Sequence, residues 1–299
     1  MLKNLLVGLL PCFVEVIGGV CHVSADGIRD RTRQRKRCTT KEKIKKMKIT
    51  LLQYDIAWQD AEANKKKVER MIAEAEKSDV YVLPEMFTTG FVVSPAGVAE
   101  RGEATLEWMR MVARLHDAAI CGSVAVEERG RCYNRFYFVK PDGETVYYDK
   151  RHLFAYGGED RHYTSGDEKV VVPFRGVRFL LQICYDLRFP VFSRNDAREP
   201  YDVVLYVASW PTSRLSVWNT LLHARAIENQ CYVAGVNRVG DDVACHYSGG
   251  TMMVDAYGRT LKECLPDAEM AVTGEVDMAK LMSFRAKFPV LADADSQRL

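Results

Sequence analysis

The sequence predicts an α/β fold with mixed strand connections, and three observations carry that expectation. From Lys48 onward, short apolar runs alternate with segments whose apolar residues recur at helical spacing. Two pairs of β-rich runs are joined by tight turns, the mark of antiparallel hairpins within the alternation. No run leads into a phosphate-binding loop, since "GEVD" and "GVNRVG" fit neither G-x-G-x-x-G nor G-x-x-x-x-G-K. The chain therefore reads as an α/β domain without a nucleotide fingerprint.

The elements follow in order. "KITLLQYD" is a short apolar strand, and "AEANKKKVERMIAEAEKSD" carries Val68, Met71, Ile72 and Ala75 at helical spacing. "VYVLP" is a second strand, and Leu106, Met109, Val112 and Ala113 mark a second helix within "TLEWMRMVARLH". "AAICGSVAV" is a third strand. In "RFYFVKPDGETVYYDK" the Asp142-Gly143 pair turns a hairpin, because glycine tolerates the positive φ that such turns demand. The polar stretch from Lys150 to about Glu168 is long for a connection and reads as a functional loop or lid. "VVVPFRGVRFLLQIC" is a second hairpin, "VFSRNDA" a short helix, "DVVLYVA" a strand, "SVWNTLLHARAIENQ" a helix and "CYVAGVNRVG" a strand. "GTMMVDAYGRTLKE" and "AVTGEVD" add two strands around turns, and "MAKLMSFRAKF" closes with a helix.

At 299 residues, with 47% hydrophobic and 27% charged, the chain suits one large domain with an ample core. The net charge of +2 is unevenly placed: residues 1–46 hold 11 Lys and Arg against 4 Asp and Glu, leaving the rest near −5. The body thus offers no electrostatic case for nucleic acid. Its nine cysteines contain no C-x-x-C pair, and its six histidines form neither H-x-x-x-H nor H-E-x-x-H, so neither a metal nor another cofactor is expected. Several cysteines, among them Cys121 and Cys231, lie in apolar stretches and read as buried free thiols of a reducing cytoplasm.

Residues 1–46 are set apart as a non-core N-terminal extension. "MLKNLLVGLLPCFVEVIGGVCHVSA" has the outline of a secretory signal, but Pro11 and Glu15 interrupt it and it is too short and broken for a membrane helix. The basic stretch after it has no hydrophobic period. The preferred reading is an upstream extension absent from the natural protein, with Met47 able to serve as initiator; the alternative is a real export or targeting segment. The domain proper is expected to span residues 47–299.

Three strand ends carry reactive groups: Glu85 beyond "VYVLP", Lys150 beyond "VYYD" and Cys184 at the end of "VRFLLQIC". Each alone has an ordinary reading, Glu85 and Lys150 as solvated loop residues and Cys184 as a small core hydrophobe. Together they have a coherent chemistry. A carboxylate beside a thiol can take its proton and later return it to a leaving amine. A fixed ammonium can stabilise the oxyanion formed when sulfur attacks a carbonyl, and the backbone N–H of Tyr185 is a candidate second donor. This is cysteine-dependent acyl transfer without a histidine base.

The segments "LPEMFTTGF", "YDKRHLF", "CYDLRFP" and "ARAIENQCYVAGVNRVG" resemble the nitrilase (carbon–nitrogen hydrolase) superfamily over about residues 47–290. "YVASWPTSR" and "FRAKFPVLADAD" look most like its omega-amidase branch. The resemblance implies a four-layer α-β-β-α sandwich, commonly as a homodimer, with Glu85 as base, Lys150 as oxyanion cation and Cys184 as nucleophile. It also implies a second glutamate after the lysine, Glu159, orienting Lys150 and the attacking water, with adjacent Asp160 the competing register. The activity implied is hydrolysis of the terminal amide of 2-oxoglutaramate or 2-oxosuccinamate through a thioester; a cytoplasmic location with no nucleic-acid or membrane partner is expected from the cysteines, the charge pattern and the broken N-terminal apolar run. An N-carbamoyl-amine hydrolase or nitrilase would carry the same triad, and a non-catalytic scaffold on this fold is the alternative of another class.

Such a substrate needs a site for its remote carboxylate. Arg188, four residues past the thiol, is one candidate; equally, it could be an ion-pair partner of Asp186 or Glu228. Trp210, ending the strand "VVLYVAS", reads as pocket wall, whereas for Phe91 and Tyr156 substrate contact and ordinary packing are equally open. Arg225 and Glu228, at helical spacing, are assigned to structure or to a dimer contact.

Overall fold

The structure, a computed structural model, describes residues 46–294. Its first half runs β1 (Lys46–Gln53), α1 (Ala61–Glu74), β2 (Val80–Val82), α2 (Ala104–His116), β3 (Ala119–Glu128), β4 (Arg131–Val139) and β5 (Thr145–Asp149). The second runs β6 (Val171–Phe174), β7 (Val177–Ile183), α3 (Pro190–Ser193), β8 (Val203–Ala208), α4 (Leu215–Asn229) and β9 (Tyr232–Asn237). It continues through β10 (Val239–Asp241), β11 (His246–Ser248), β12 (Met252–Val254), β13 (Thr260–Glu263), β14 (Met270–Asp277) and α5 (Met278–Lys287).

Two six-stranded sheets result, ordered β14-β1-β2-β3-β4-β5 and β6-β7-β8-β9-β12-β13. Both have three parallel central strands, one antiparallel strand at one edge and two at the other. Between the sheets lies a core in which Ile49, Leu51, Phe136 and Phe138 meet Phe179, Leu181, Leu205 and Val236. On the outer face of the first sheet, Val68 and Ile72 of α1 and Met109 and Val112 of α2 pack on Tyr81 and Val124. On that of the second, Trp218 and Leu222 of α4 pack on Leu180, Val204 and Tyr206. This is the expected α-β-β-α sandwich. Strands covered on both faces have no polar side to present, which is why β7, β8 and β9 read as continuous apolar runs.

Three expectations need correction. The two strands read in "GTMMVDAYGRTLKE" and "AVTGEVD" are three, because the turn at Gly258, φ +78°, folds β12 and β13 into a hairpin. The run "CYVAGVNRVG" is not one strand: β9 ends at Asn237, and β10 leaves the sheet to pair with β11, which the sequence did not disclose. The break falls at Arg238, whose fully buried guanidinium donates to Asp55 Oδ1 at 2.8 Å and to the carbonyls of Ile56, Val239 and Asp241. Satisfying that charge draws the backbone out of the ladder. The helix read in "VFSRNDA" is a single turn opened by Pro190 and ending at Ser193. Just beyond it the Asn195 side chain bonds the backbones of Tyr201 and Asn229, which holds the chain in a non-helical path.

At the N-terminal boundary, β1 begins one residue before Met47, with Lys46 opposite Asp277, and Met47 is buried. Residues 1–45, and with them the expectations for a signal or basic arm, lie outside the described residues. Among the described residues no helix is long and apolar enough to cross a membrane, and no group of His, Cys, Asp and Glu is arranged to hold a metal ion.

Candidate active site

Parallel central strands end on the same side, so the turns that follow β2, β7 and β8 converge, joined by the chain leaving β5. After β2, Met86 N donates to Ser123 Oγ at 2.8 Å and bends the chain so that Glu85 points inward, fully buried. After β5, Lys150 N donates to Asn134 O and Gly166 N to Lys150 O, each at 3.0 Å. A Cβ on Gly166 would collide with the carbonyl oxygen of Asp149, so this close approach of two backbones requires glycine.

After β7 the chain enters a 3-10 turn, Cys184–Arg188, with Cys184 at φ +44°. That left-handed conformation is unfavourable for a side-chain-bearing residue and persists where neighbours over-determine it. Here Asp186 does so. Its Oδ2 accepts from Tyr148 OH (2.7 Å) and Ile183 N (2.9 Å), and its Oδ1 from His152 N (3.0 Å) with His152 Nδ1 at 2.8 Å. Arg225 adds a bond from Nη2 to Leu187 O at 2.6 Å. The segment flanking Lys150 and the turn bearing Cys184 are therefore tied through one buried carboxylate.

The three strand-end residues meet. Glu85 Oε1 accepts from Lys150 Nζ and Asn134 Nδ2, both at 2.8 Å, and Oε2 from Ser209 N at 2.9 Å. Glu159 accepts from Lys150 Nζ on both oxygens (3.1 and 2.9 Å), from Asn134 Nδ2 (3.1 Å) and from Phe154 N (2.6 Å). Glu159 is fully buried while Asp160 is exposed, so the register does not slip. Glu159 makes four bonds inside the protein, two of them to Lys150, an arrangement suited to holding that ammonium in place.

Electrostatics follow from one buried cation between two buried carboxylates. Burial alone would depress the Lys150 ammonium, but Glu159 and then Glu85 outweigh it and hold the group well above its ordinary range. Burial raises Glu159, opposed by Lys150 and reinforced by Glu85. Burial also pushes the Cys184 thiol well up, and the nearby Glu85 pushes further than Lys150 can offset. Both effects favour the neutral thiol of Cys184 over the thiolate.

Lys150 and Cys184 face a cavity of about 470 Å³, within the usual size of small-molecule sites. Its lining brings in Tyr185, Arg188, Trp210, Phe91 and Tyr156, all from the sequence reading. Trp210 is 3% exposed and donates from Nε1 to Arg214 O, whereas Tyr156, 88% exposed, stands at the rim. The Phe91 ring lies 5.4 Å from Lys150 Nζ. The ion-pair alternative for Arg188 is overturned: Asp186 is taken by Tyr148, His152 and Ile183, Glu228 bonds Arg225, and the Arg188 guanidinium instead lies 5.0 Å over the Trp210 ring. The sequence reading missed Asn134, Ser209 and Arg214. Only Asn134 left a signal, an amide amid β-forming residues where asparagine is disfavoured.

The carbon-nitrogen hydrolase family model matches residues 48–286. The chain belongs to this family. An omega-amidase, YafV, of Yersinia enterocolitica is 46% identical over 250 residues, covering 83% of this chain and 97% of that one. A 2-oxoglutaramate amidase of Bacillus subtilis is 35% identical, covering 83% and 97%. Among solved structures, a CN-hydrolase superfamily protein of Xanthomonas campestris with an arsenic adduct in its active site has 41% identity and a TM-score of 0.81, covering 84% and 98%. This hydrolase therefore shares its sandwich with the Xanthomonas protein, and nearly all of its described chain aligns with all three.

Proposed function

We propose that this hydrolase cleaves the terminal amide of a small 2-oxo dicarboxylate monoamide, 2-oxoglutaramate or 2-oxosuccinamate, releasing the acid and ammonia. The observation that carries the reading is one cavity holding Cys184, Lys150 and, in Arg188, a guanidinium with no carboxylate partner among the described residues. The names of the YafV and Bacillus relatives point the same way.

Cys184 Sγ attacks the amide carbon while its proton passes to Glu85. Lys150 Nζ and the Tyr185 backbone N–H hold the oxyanion. Collapse breaks the C–N bond, and Glu85 gives its proton to the departing nitrogen, leaving a thioester and ammonia. Water then adds to the thioester with Glu85 taking a proton; the second collapse expels sulfur, which recovers that proton, and the acid leaves. Glu159 and Asn134 hold Lys150 and Glu85 in register throughout.

The domain is residues 47–299, acting in the cytoplasm as a homodimer. The six described cysteines are all free, which supports a reducing compartment. Tyr257, Phe284 and Phe288 stack in series, with Tyr257 and Phe288 exposed, an apolar surface at α5 that supports self-association.

The test measures kcat/KM for 2-oxoglutaramate, 2-oxosuccinamate, a neutral aliphatic amide, an N-carbamoyl amino acid and a nitrile. The oxo-acid amides are expected to lead, and Arg188→Ala to narrow their advantage over the neutral amide by more than about tenfold, the loss of a charge-assisted contact worth about 1.4 kcal/mol or more. No advantage in the wild type would refute the reading, and equal loss on both substrates would make Arg188 structural.

A further inference from the structure

The cavity lining carries a second guanidinium that the mechanism does not use. Arg214 lies between β8 and α4, lines the same cavity as Cys184 and Arg188, and sits 5.5 Å over the Phe154 ring. Trp210 connects the two arginines: its face receives Arg188 and its Nε1–H donates to Arg214 O at 2.8 Å. Among the described residues neither guanidinium has a hydrogen-bond acceptor or a carboxylate within ion-pair distance. The half-buried or buried Arg135, Arg225, Arg238 and Arg285 each have both. Arg214 also occupies the N-cap of α4, a 15-residue helix whose start has no side-chain cap, so the positive end of the helix adds to this wall.

The carboxylates of the same region are already engaged by other groups. Glu85 and Glu159 are bound to Lys150, behind the cavity lining. Asp242 does line the cavity, but its Oδ1 accepts from Ala244 N and Cys245 N, both at 2.7 Å, and its Oδ2 from Tyr247 OH at 2.6 Å. The substrate end therefore offers two unpaired cations and no free carboxylate.

We propose that Arg188 and Arg214 together cradle the 2-oxo-carboxylate end of the substrate, and that Arg214 is a specificity residue separating 2-oxo-acid amides from the corresponding amino-acid amides. A 2-oxo-carboxylate presents acceptor oxygens only, which two donor forks can share. Glutamine or asparagine puts an ammonium where the oxo oxygen would be, against two cations, and like charges brought together are what exclude a wrong partner. The inference rests on the proposed amidase reading and adds to it the residue that rejects the amine.

The experiment compares kcat/KM for 2-oxoglutaramate, glutamine and neutral pentanamide in the wild type and in Arg214→Ala, Arg214→Gln and Arg214→Lys, each checked for an unchanged melting temperature. Arg214→Ala and Arg214→Gln are expected to narrow the preference for 2-oxoglutaramate over glutamine by more than about tenfold, mainly through KM. Arg214→Lys is expected to recover part of it. In the wild type, added salt should raise KM for 2-oxoglutaramate and leave that for pentanamide nearly unmoved. A full preference retained by the glutamine variant, or equal loss on all three substrates, overturns the cradle while leaving the amidase reading intact. A wild type that does not favour 2-oxoglutaramate over pentanamide overturns both.

Discussion

Replacing Asp186 by alanine probes the link between the fold and the turn that carries Cys184. The carboxylate is fully buried and gathers Tyr148 OH, Ile183 N, His152 N and His152 Nδ1. Alanine strands the first two inside the protein, since Tyr148 is 1% exposed and Ile183 0%. Each orphaned buried donor costs about 1–3 kcal/mol. The His152 side chain is 22% exposed, so water can take over its bonds and little is added. Asp186→Ala should therefore lose roughly 2–6 kcal/mol, a large share of a typical total of about 5–15 kcal/mol. Asp186→Asn, which keeps one acceptor oxygen, should lose less. Activity should fall further than stability predicts, because the turn holding Cys184 at φ +44° is then free to relax. Urea denaturation at pH 7 with Cys184→Ala as reference, and kcat on the amide, are the measurements. An alanine variant within about 1 kcal/mol of wild type and with full kcat would refute the argument, since it rests on the cost of orphaned donors.

Three further outcomes are expected. Cys184→Ala and Cys184→Ser should fold normally and lose turnover, whereas fully buried Cys121→Ala should cost roughly 1 kcal/mol of stability and keep activity; alkylation that silences the enzyme while sparing Cys184 would contradict this. Burial raises the Cys231 thiol from 9.0 to about 12, so the folded chain holds a proton that the unfolded chain releases. Its contribution is intact below pH 9 and declines by about 1.4 kcal/mol per pH unit up to about 12, and Cys231→Ala should flatten the alkaline stability slope by one proton, measured by denaturation between pH 8 and 11. A chain beginning at Met47 should keep activity and melting temperature, because Met47 is buried in β1 while Lys46 adds an exposed ion pair to Glu275; a large loss of either would assign structure to the upstream residues.

Much of this protein is written locally. The doubly covered strands appear as apolar runs, the helices as one-sided patterns, and the Asp142-Gly143 turn as a positive-φ requirement met by Gly143 at +90°. The chain order of Glu85, Lys150 and Cys184 at three strand ends is equally local, and it sufficed to pose the chemistry. Tertiary structure alone decided which groups stand next to which. Ser209 N meets Glu85 across 124 positions of sequence, and Asn134 bridges two carboxylates from a strand whose pattern says only that it is buried. Arg188 was undecided between an ion pair and the cavity until the bonds of Asp186 and Glu228 were known, and Arg214 drew no notice in its turn. Periodicity reports how a residue sits relative to its own element. The pairing of charges across two stacked sheets depends on how those sheets pack, and no spacing within either element records it.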